Sequence, residues 1–266
     1  MILENMILDN VRNMPPSGIR KYFDLINEMD DVISLGVGEP DFVTPWNVIE
    51  AGIYSLEKGE THYSSNAGFI ELRREISNYL DRRFNLKYSP DEEILVTVGG
   101  SEGIDLALRA LVGPGDEVII PEPSFVAYKG CATFCGATPV TINLRQEDEF
   151  KLTPELLEKA ITPKTKVVII PFPNNPTGAI MTKDELEKIV QVLKDKDIII
   201  LSDEIYAELS YDKAHYSIAS FDEVRDKTLV INGFSKAYAM TGWRLGYVCG
   251  HSILIDALKK IHQYAL

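Results

Sequence analysis

The strongest constraint on the fold is a regular alternation of short apolar runs with amphipathic segments, which begins near residue 90. Seven runs are apolar and mostly rich in β-branched residues: ILVTV (94–98), EVII (117–120), PVTI (139–142), KVVII (166–170), DIIIL (197–201), TLVI (228–231) and RLGYV (244–248). Amphipathic stretches such as SEGIDLALRALV and TKDELEKIVQVLK separate them. Continuous apolar strands between helices predict an α/β fold, with a mostly parallel seven-stranded sheet sandwiched by helices.

Short sequence patterns predict where some helices begin, and they indicate an N-terminal arm. Thr153 and Thr182 precede acidic residues and a helical pattern, so we expect each to form a capping box with a glutamate. Upstream, GFIELRREISNYLDRRF predicts a long amphipathic helix. The first residues form an apolar arm that would be unstable alone, and we expect it to pack on other parts of the molecule.

The charge and the cysteines of the chain indicate which kinds of partner and location to expect. The 266 residues carry a formal net charge of −13 without a block of like charge. Because an acidic surface repels phosphate backbones and anionic headgroups, nucleic acid and membranes are poor candidate partners. The N-terminus lacks a secretory signal, and the three cysteines indicate reduced thiols in a cytoplasmic protein. Cys131 and Cys135 favour packing over a metal site, because the four histidines lie elsewhere.

A glycine-rich turn follows the first predicted strand. Gly99 and Gly100, in VGGSEGID, allow a tight turn, and Ser101 is expected to cap the helix that begins there. The exposed amides of Ser101, Glu102 and Gly103, with the positive end of the helix dipole, would form an anion site. The alternative is an ordinary strand–turn–helix junction.

Two further motifs follow strands, at the sheet edge where α/β proteins bind ligands. In PFPNNPTGAI, three prolines stiffen a loop that presents Asn174 and Asn175, although a rigid turn would have the same features. In LSDEIYAEL, Asp203 ends an apolar strand, and Tyr206 can reach the same pocket. An unpaired buried carboxylate is costly, so Asp203 implies a cationic partner, which an internal salt bridge would also provide.

The stretch GFSKAYAMTGWRLGY holds one amine and one guanidinium eight residues apart, Lys236 and Arg244. Desolvation favours the neutral amine, which is a nucleophile able to form a Schiff base, and a guanidinium suits a phosphate dianion. Taken singly, a surface lysine and a salt-bridged arginine are the plainer interpretations. Together with the anion site and the buried aspartate, however, these residues describe one ligand, pyridoxal 5′-phosphate.

Five motifs resemble, in order, those of the class I/II aminotransferases, which are pyridoxal-phosphate enzymes of fold type I: GVGEPDF, VGGSEGIDLALRAL, PNNPTG, SDEIYAEL and GFSKAYAMTGWRLGY. The resemblance covers essentially the whole chain. It implies an N-terminal arm and the start of a small domain at 1–45, a large cofactor-binding domain at 46–250, and the start of an interdomain helix at 251–266.

The resemblance also implies a role for each site residue. Lys236 resembles the Schiff-base lysine, Asp203 the partner of the pyridinium nitrogen, and Phe125 the residue that stacks on the ring. Asn175 and Tyr206 would hydrogen-bond the phenolic oxygen. The remaining cofactor-binding residues, most of them at the phosphate, are Gly100, Ser101, Glu102, Ser235 and Arg244.

Two residues point to the substrate and to a second subunit. Gly38 resembles the glycine whose backbone approaches the substrate carboxylate, alongside Asn175. Tyr63 resembles the tyrosine that reaches the phosphate of the neighbouring subunit, which implies a homodimer with shared active sites. No metal is implied.

The sequence departs from the family pattern in two places. The family often has serine where this chain has Gly233, so we expect cofactor binding weaker by roughly 1 kcal/mol, about one hydrogen bond. After ILIDALKKIHQYAL the sequence stops, whereas family members continue through most of the small domain and its carboxylate-binding arginine. We therefore expect a truncated chain, or the ordered portion of a longer one, in which Gly38 and Asn175 remain to hold that carboxylate.

The function implied is a transaminase that moves an amino group from an amino acid to a 2-oxo acid by a ping-pong mechanism. Tyr22, Phe23 and the apolar arm favour an aromatic or broad donor, and aspartate is the alternative. A β-lyase or decarboxylase of the same fold, a cofactor-sensing domain of a regulator, and a catalytically inert fragment that binds cofactor are competing hypotheses.

Overall fold

The seven apolar segments form one sheet in the computed structural model, which describes residues 3–16, 38–211 and 213–265. The strands are β1 (Ile94–Thr97), β2 (Glu117–Glu122), β3 (Thr138–Asn143), β4 (Thr165–Ile170), β5 (Ile199–Asp203), β6 (Thr228–Gly233) and β7 (Gly246–Cys249). The predicted seven-stranded, mostly parallel sheet is thus confirmed. The last strand begins two residues later than predicted, so that Arg244 lies in the loop before it.

The strand order across the sheet is β1-β7-β6-β5-β4-β2-β3. Neighbours from β6 to β3 pair in parallel, whereas β7 runs antiparallel to both β1 and β6. Because β7 is reversed, its first residues lie at the edge where β1 and β6 end. Gly246 at the start of β7 is accordingly the register partner of Gly233 at the end of β6.

Helices cover both faces of the sheet, as the apolar strands require. The helices among the described residues are α1 (Asp9–Arg12), α2 (Trp46–Glu57), α3 (Ile70–Phe84), α4 (Gly99–Leu111), α5 (Ala127–Phe134), α6 (Pro154–Ala160), α7 (Lys183–Leu193), α8 (Asp222–Arg225) and α9 (Ser252–Ala265). Successive residues of β4 belong to different cores, since Val167 packs with Leu108 of α4 and Val168 with Ile189 of α7.

The two predicted capping boxes have different outcomes. Thr182 forms one, because its hydroxyl accepts from the Glu185 amide at 3.3 Å while the Glu185 carboxylate accepts from the Thr182 amide at 2.7 Å. Thr153 accepts from the amide of Leu156 at 3.4 Å. The box predicted there is wrong, since the third helical position holds an apolar residue that cannot return the hydrogen bond.

The described part of the N-terminal arm touches the rest of the molecule through α1. Asn10 donates from Nδ2 to the carbonyl of Thr133 on α5 at 3.2 Å. The apolar side chains of the arm stay largely exposed, Leu3 and Met6 by about three quarters. No helix in residues 3–16, 38–211 or 213–265 is long and apolar enough to cross a membrane.

Candidate active site

All the predicted motifs meet at one edge of the sheet. Helix α4 starts just after β1, the proline-rich loop follows β4, and Asp203 is the last residue of β5. Lys236 follows the end of β6, and Arg244 precedes the reversed strand β7. The strand directions therefore bring together residues that are far apart in the chain.

A cavity of about 270 Å³ opens at this edge. Ten of the twelve predicted site residues line it: Gly38, Gly100, Ser101, Phe125, Asn175, Asp203, Tyr206, Ser235, Lys236 and Arg244. The other two are not among its lining residues. Tyr63 is fully exposed on the surface. The role implied for Glu102 is a backbone contact, and its backbone belongs to the first turn of α4, while its side chain accepts a hydrogen bond from the Val98 amide at 2.5 Å and pairs with His262 Nδ1 at 3.0 Å.

One end of the cavity is built to bind an anion. Helix α4 begins at Gly99 with no side chain capping its first amides, and Ser101 is its third residue rather than its cap, which corrects the predicted role of that side chain. A Cβ on Gly99 would lie 2.5 Å from Nη2 of Arg244, so glycine allows the guanidinium to approach the helix start. Nη1 of Arg244 donates to the carbonyl of Thr241 at 2.9 Å. The helix dipole and the guanidinium thus both favour negative charge here.

The other end holds a buried carboxylate. Oδ2 of Asp203 accepts from the hydroxyl of Tyr128 at 2.7 Å, and Oδ1 accepts from the amide of Ile205 at 3.2 Å. Burial raises the pKa of Asp203 despite these two donors. No ion pair among the described residues includes Asp203, so the alternative interpretation, an internal salt bridge, is not formed in that part of the chain. A cationic group on a ligand would lower the free-energy cost of burying this carboxylate in its ionised form.

Two neutral donors face the middle of the cavity. Nδ2 of Asn175 donates to the hydroxyl oxygen of Tyr206 at 3.2 Å, which leaves the second N–H of Asn175 and the O–H of Tyr206 free to donate to an acceptor beside them. A Cβ on Gly38 would lie 3.3 Å from the same hydroxyl. The backbone of residue 38 therefore closes over these donors.

Lys236 lies between the two ends. Its Nζ donates to the carbonyl of Gly38 and lies 5.4 Å from the centre of the Tyr206 ring. Burial lowers the pKa of Lys236, the nearby charge of Arg244 lowers it further, and the carboxylates of Glu39 and Asp203 oppose both effects. The amine is consequently neutral at a lower pH than an exposed lysine and available as a nucleophile.

The close approach of β7 to the end of β6 explains the glycine at position 233. A Cβ on Gly233 would lie 2.9 Å from Cα of Gly246 and 3.0 Å from the carbonyl oxygen of Leu245. A serine there has room only if the two strands separate. The weaker cofactor binding expected from the missing serine stays a prediction.

Replacing Gly233 with serine is expected to lower the free energy of unfolding by about 1–3 kcal/mol, because added atoms force the neighbouring backbone apart. Denaturant unfolding compares the variant with wild type. Gly113→Ser is the matched control, since a Cβ on Gly113 meets no atom within 4 Å. An unchanged midpoint for Gly233→Ser would contradict the steric argument.

Sequence reasoning missed Tyr128, which contacts Asp203 directly. It is almost fully buried on α5 and packs edge-to-face with Phe125 at a centroid distance of 5.7 Å. One signal was present, since Tyr128 stands only three residues after Phe125, a predicted site residue that lies just before α5. The described residues contain no group of three or more His, Cys, Asp or Glu side chains that could hold a metal ion.

Comparisons with known proteins agree with one another. The family model described as aminotransferase class I and II matches residues 30–265. The chain is 54% identical to YugH of Bacillus subtilis over 264 residues, which cover 99% of this chain and 68% of YugH. It is 43% identical to an aspartate aminotransferase of Pyrococcus abyssi, covering 96% of this chain and 66% of that protein.

A solved structure gives the same result. An aromatic aminotransferase from Pyrococcus horikoshii superposes with a TM-score of 0.86 at 42% identity, over 93% of this chain and 66% of that one. The chain therefore spans about two thirds of the length of each of these proteins.

Proposed function

Because the chain belongs to the class I and II aminotransferases, we propose that it binds pyridoxal 5′-phosphate and moves the amino group of an amino acid to a 2-oxo acid in a ping-pong cycle. The observation that carries the proposal is one cavity that Lys236 lines together with the buried carboxylate of Asp203 and with Arg244 of the anion site.

The residues of the cavity fit this cofactor in three independent ways. Asp203 is a buried carboxylate whose pKa is raised by burial. A pyridinium N–H beside it would favour the ionised carboxylate and so lower that pKa. The start of α4, with the guanidinium against Gly99, suits a phosphate. Lys236 supplies an amine with a lowered pKa for the aldehyde.

The chemistry divides between the cofactor and the protein. When bound, pyridoxal 5′-phosphate supplies an aldehyde that condenses with amines and a ring that accepts the electrons of a broken bond at Cα. Asp203 would hold the proton on the ring nitrogen. Asn175 and Tyr206 would donate to the phenolic oxygen, and Phe125 would stack on the ring. The neutral Nζ of Lys236 would act as the general base that takes the proton from the substrate Cα.

The direct test follows amino transfer in the protein loaded with cofactor. We expect 2-oxoglutarate-dependent conversion of amino acids, with the product 2-oxo acid measured in a coupled assay. Neither a visible cofactor band nor transfer would refute the proposal. Ammonia and pyruvate from cysteine-type donors without an oxo acid would assign a β-lyase, and bound cofactor without turnover would assign an inert fragment.

For the amino donor, we propose an aromatic or broadly accepted amino acid or aspartate. Support comes from the names of the relatives, which include aspartate and aromatic aminotransferases. Tyr22 and Phe23, which suggested an aromatic pocket, lie outside the described residues. A donor panel with 2-oxoglutarate separates the two, because the preferred donor has the higher kcat/KM.

A homodimer is part of the same proposal. Helix α2 has no buried residue, and its side chains Trp46, Tyr54 and Leu56 are mostly exposed although they are apolar. Tyr63, six residues after the helix, is fully exposed and would reach the partner's phosphate site.

We expect sedimentation to give twice the chain mass of 29.8 kDa. Leu56→Asp is expected to shift the protein to monomer, whereas Leu56→Met is the apolar control. A monomeric wild type at micromolar concentration would contradict the shared site.

We also propose a large cofactor-binding domain and a cytoplasmic location. A large domain at 46–250 is supported by the sheet, whose strands lie between Ile94 and Cys249. A cytoplasmic location is supported by the three cysteines, all of which are free thiols.

A further inference from the structure

A short segment, residues 38–44, is hydrogen-bonded along the loop that carries both Lys236 and Arg244. Nζ of Lys236 donates to the carbonyl of Gly38, and the hydroxyl of Thr241 donates to Glu39 Oε2 at 3.0 Å. Further along, Thr44 is the one buried residue of the segment. Its contacts with the loop are therefore shielded from water.

The Thr44 hydroxyl makes two hydrogen bonds at once. It donates to the carbonyl of Ala239 at 2.7 Å and accepts from Nε1 of Trp243 at 3.1 Å. A threonine hydroxyl has one donor and two acceptor sites, so both bonds form together. On its other side, the Trp243 ring packs so closely on α2 that a Cβ on Gly52 would lie 2.9 Å from the indole.

These two bonds act on a strained part of the backbone. Ala239 and Arg244 both have positive φ, +50° and +55°, although neither is glycine. Non-glycine residues in this region cost of order 1 kcal/mol or more and persist only where their surroundings hold them. Thr44 bonds to one of these residues directly and to the neighbour of the other.

We propose that Thr44 is a positioning residue for the phosphate site. Its hydroxyl ties the carbonyl of Ala239 to the indole of Trp243, which fixes the turn that aims Arg244 at the start of α4. This inference rests on the proposed function, because it takes the anion to be the phosphate of the cofactor. It assigns a role in cofactor binding to a residue that lies outside the cavity.

The test compares two ligands that differ only in the phosphate. The protein is stripped of cofactor and titrated with pyridoxal 5′-phosphate and with pyridoxal, following the absorbance of the bound species. Thr44→Val keeps the shape but removes the hydroxyl, and we expect the ratio of the two affinities to fall about tenfold. Thr44→Ser keeps the hydroxyl and is expected to retain the ratio. Arg244→Gln is the positive control.

Each outcome separates the hypotheses. An unchanged ratio in Thr44→Val overturns the inference, and so does an equal loss for both ligands, which would mean a merely structural role. Should Thr44→Val not fold, Trp243→Phe removes the indole donor together with the ring atoms that pack on Gly52, and an unchanged ratio in that variant likewise overturns the inference. If wild type binds neither ligand, the proposed function itself fails, which is a different result.

Discussion

Lys236→Ala is expected to abolish the visible band of the bound cofactor and to lower the rate of amino transfer by about 10⁴-fold or more. The variant removes both the amine that attaches the cofactor and the base that moves the substrate proton. Its Nζ is the amine that lines the cavity between the anion site and Asp203. Absorbance spectra and single-turnover assays measure the two losses separately.

A matched control distinguishes this residue from lysines in general. Lys188 is exposed on α7 and does not line the cavity, and Lys188→Ala is expected to leave the band and the rate unchanged. Mass spectrometry after borohydride reduction should place the cofactor on the peptide that contains Lys236. A modified peptide elsewhere, or a retained band in Lys236→Ala, contradicts the assignment.

Asp203→Asn is expected to lower the rate of transfer by about 10²–10³-fold, the cost of removing one partner from a buried charge pair. The amide cannot hold the ring nitrogen in its protonated form. Cofactor affinity should fall as well, while the Lys236 band is retained in a shifted form. An assay at saturating cofactor isolates the effect on rate.

The same variant is expected to stabilise the cofactor-free protein at neutral pH. Burial raises the pKa of Asp203, so the folded protein holds this proton more tightly than the unfolded chain does. The tighter binding of this proton stabilises the folded state fully below the ordinary pKa of about 3.9, and this stabilisation is lost as the pH rises through the pKa of the folded protein. An amide does not ionise, and Tyr128 can turn its hydroxyl to accept from it.

Thermal unfolding of cofactor-free protein at several pH values measures this effect. We expect Asp203→Asn to melt above wild type at pH 7 and to lose its advantage below pH 4, roughly where the wild-type carboxyl is protonated in both states. A lower melting temperature at pH 7 would show that the carboxylate is stabilised by the protein alone, without the cofactor. Gain of stability with loss of activity is the expected cost of preparing a site for a cation.

The sequence contains enough information for the sheet and for most of the site. Strands such as KVVII are apolar on both faces, so their pattern predicts burial between two layers of helices. Each of Asp203, Lys236 and Arg244 has a plain structural interpretation by itself, and they are predicted as site residues because together, at strand ends, they describe one ligand. The family resemblance then assigned a role to each of them.

The remaining features depend on contacts between distant segments. Tyr128 bonds to a residue 75 positions away, and Thr44 to residues 195 and 199 positions away. No local pattern encodes such pairs. The same holds for Gly233, whose missing side chain is explained by the backbone of β7 and not by its neighbours in β6. The predicted capping by Ser101 failed for a smaller reason, because the helix begins two residues earlier at Gly99.

The place of β7 between β1 and β6 has a consequence for the order of events during synthesis. The ribosome releases β1 early, yet among the described residues its partner in the sheet is β7, the seventh of the seven described strands along the chain. The pairs between β1 and β7 therefore form only after residue 249 has left the exit tunnel. Because β7 also pairs with β6, the strand that leads to Lys236 is joined to the strand that leads to the glycine turn only through β7.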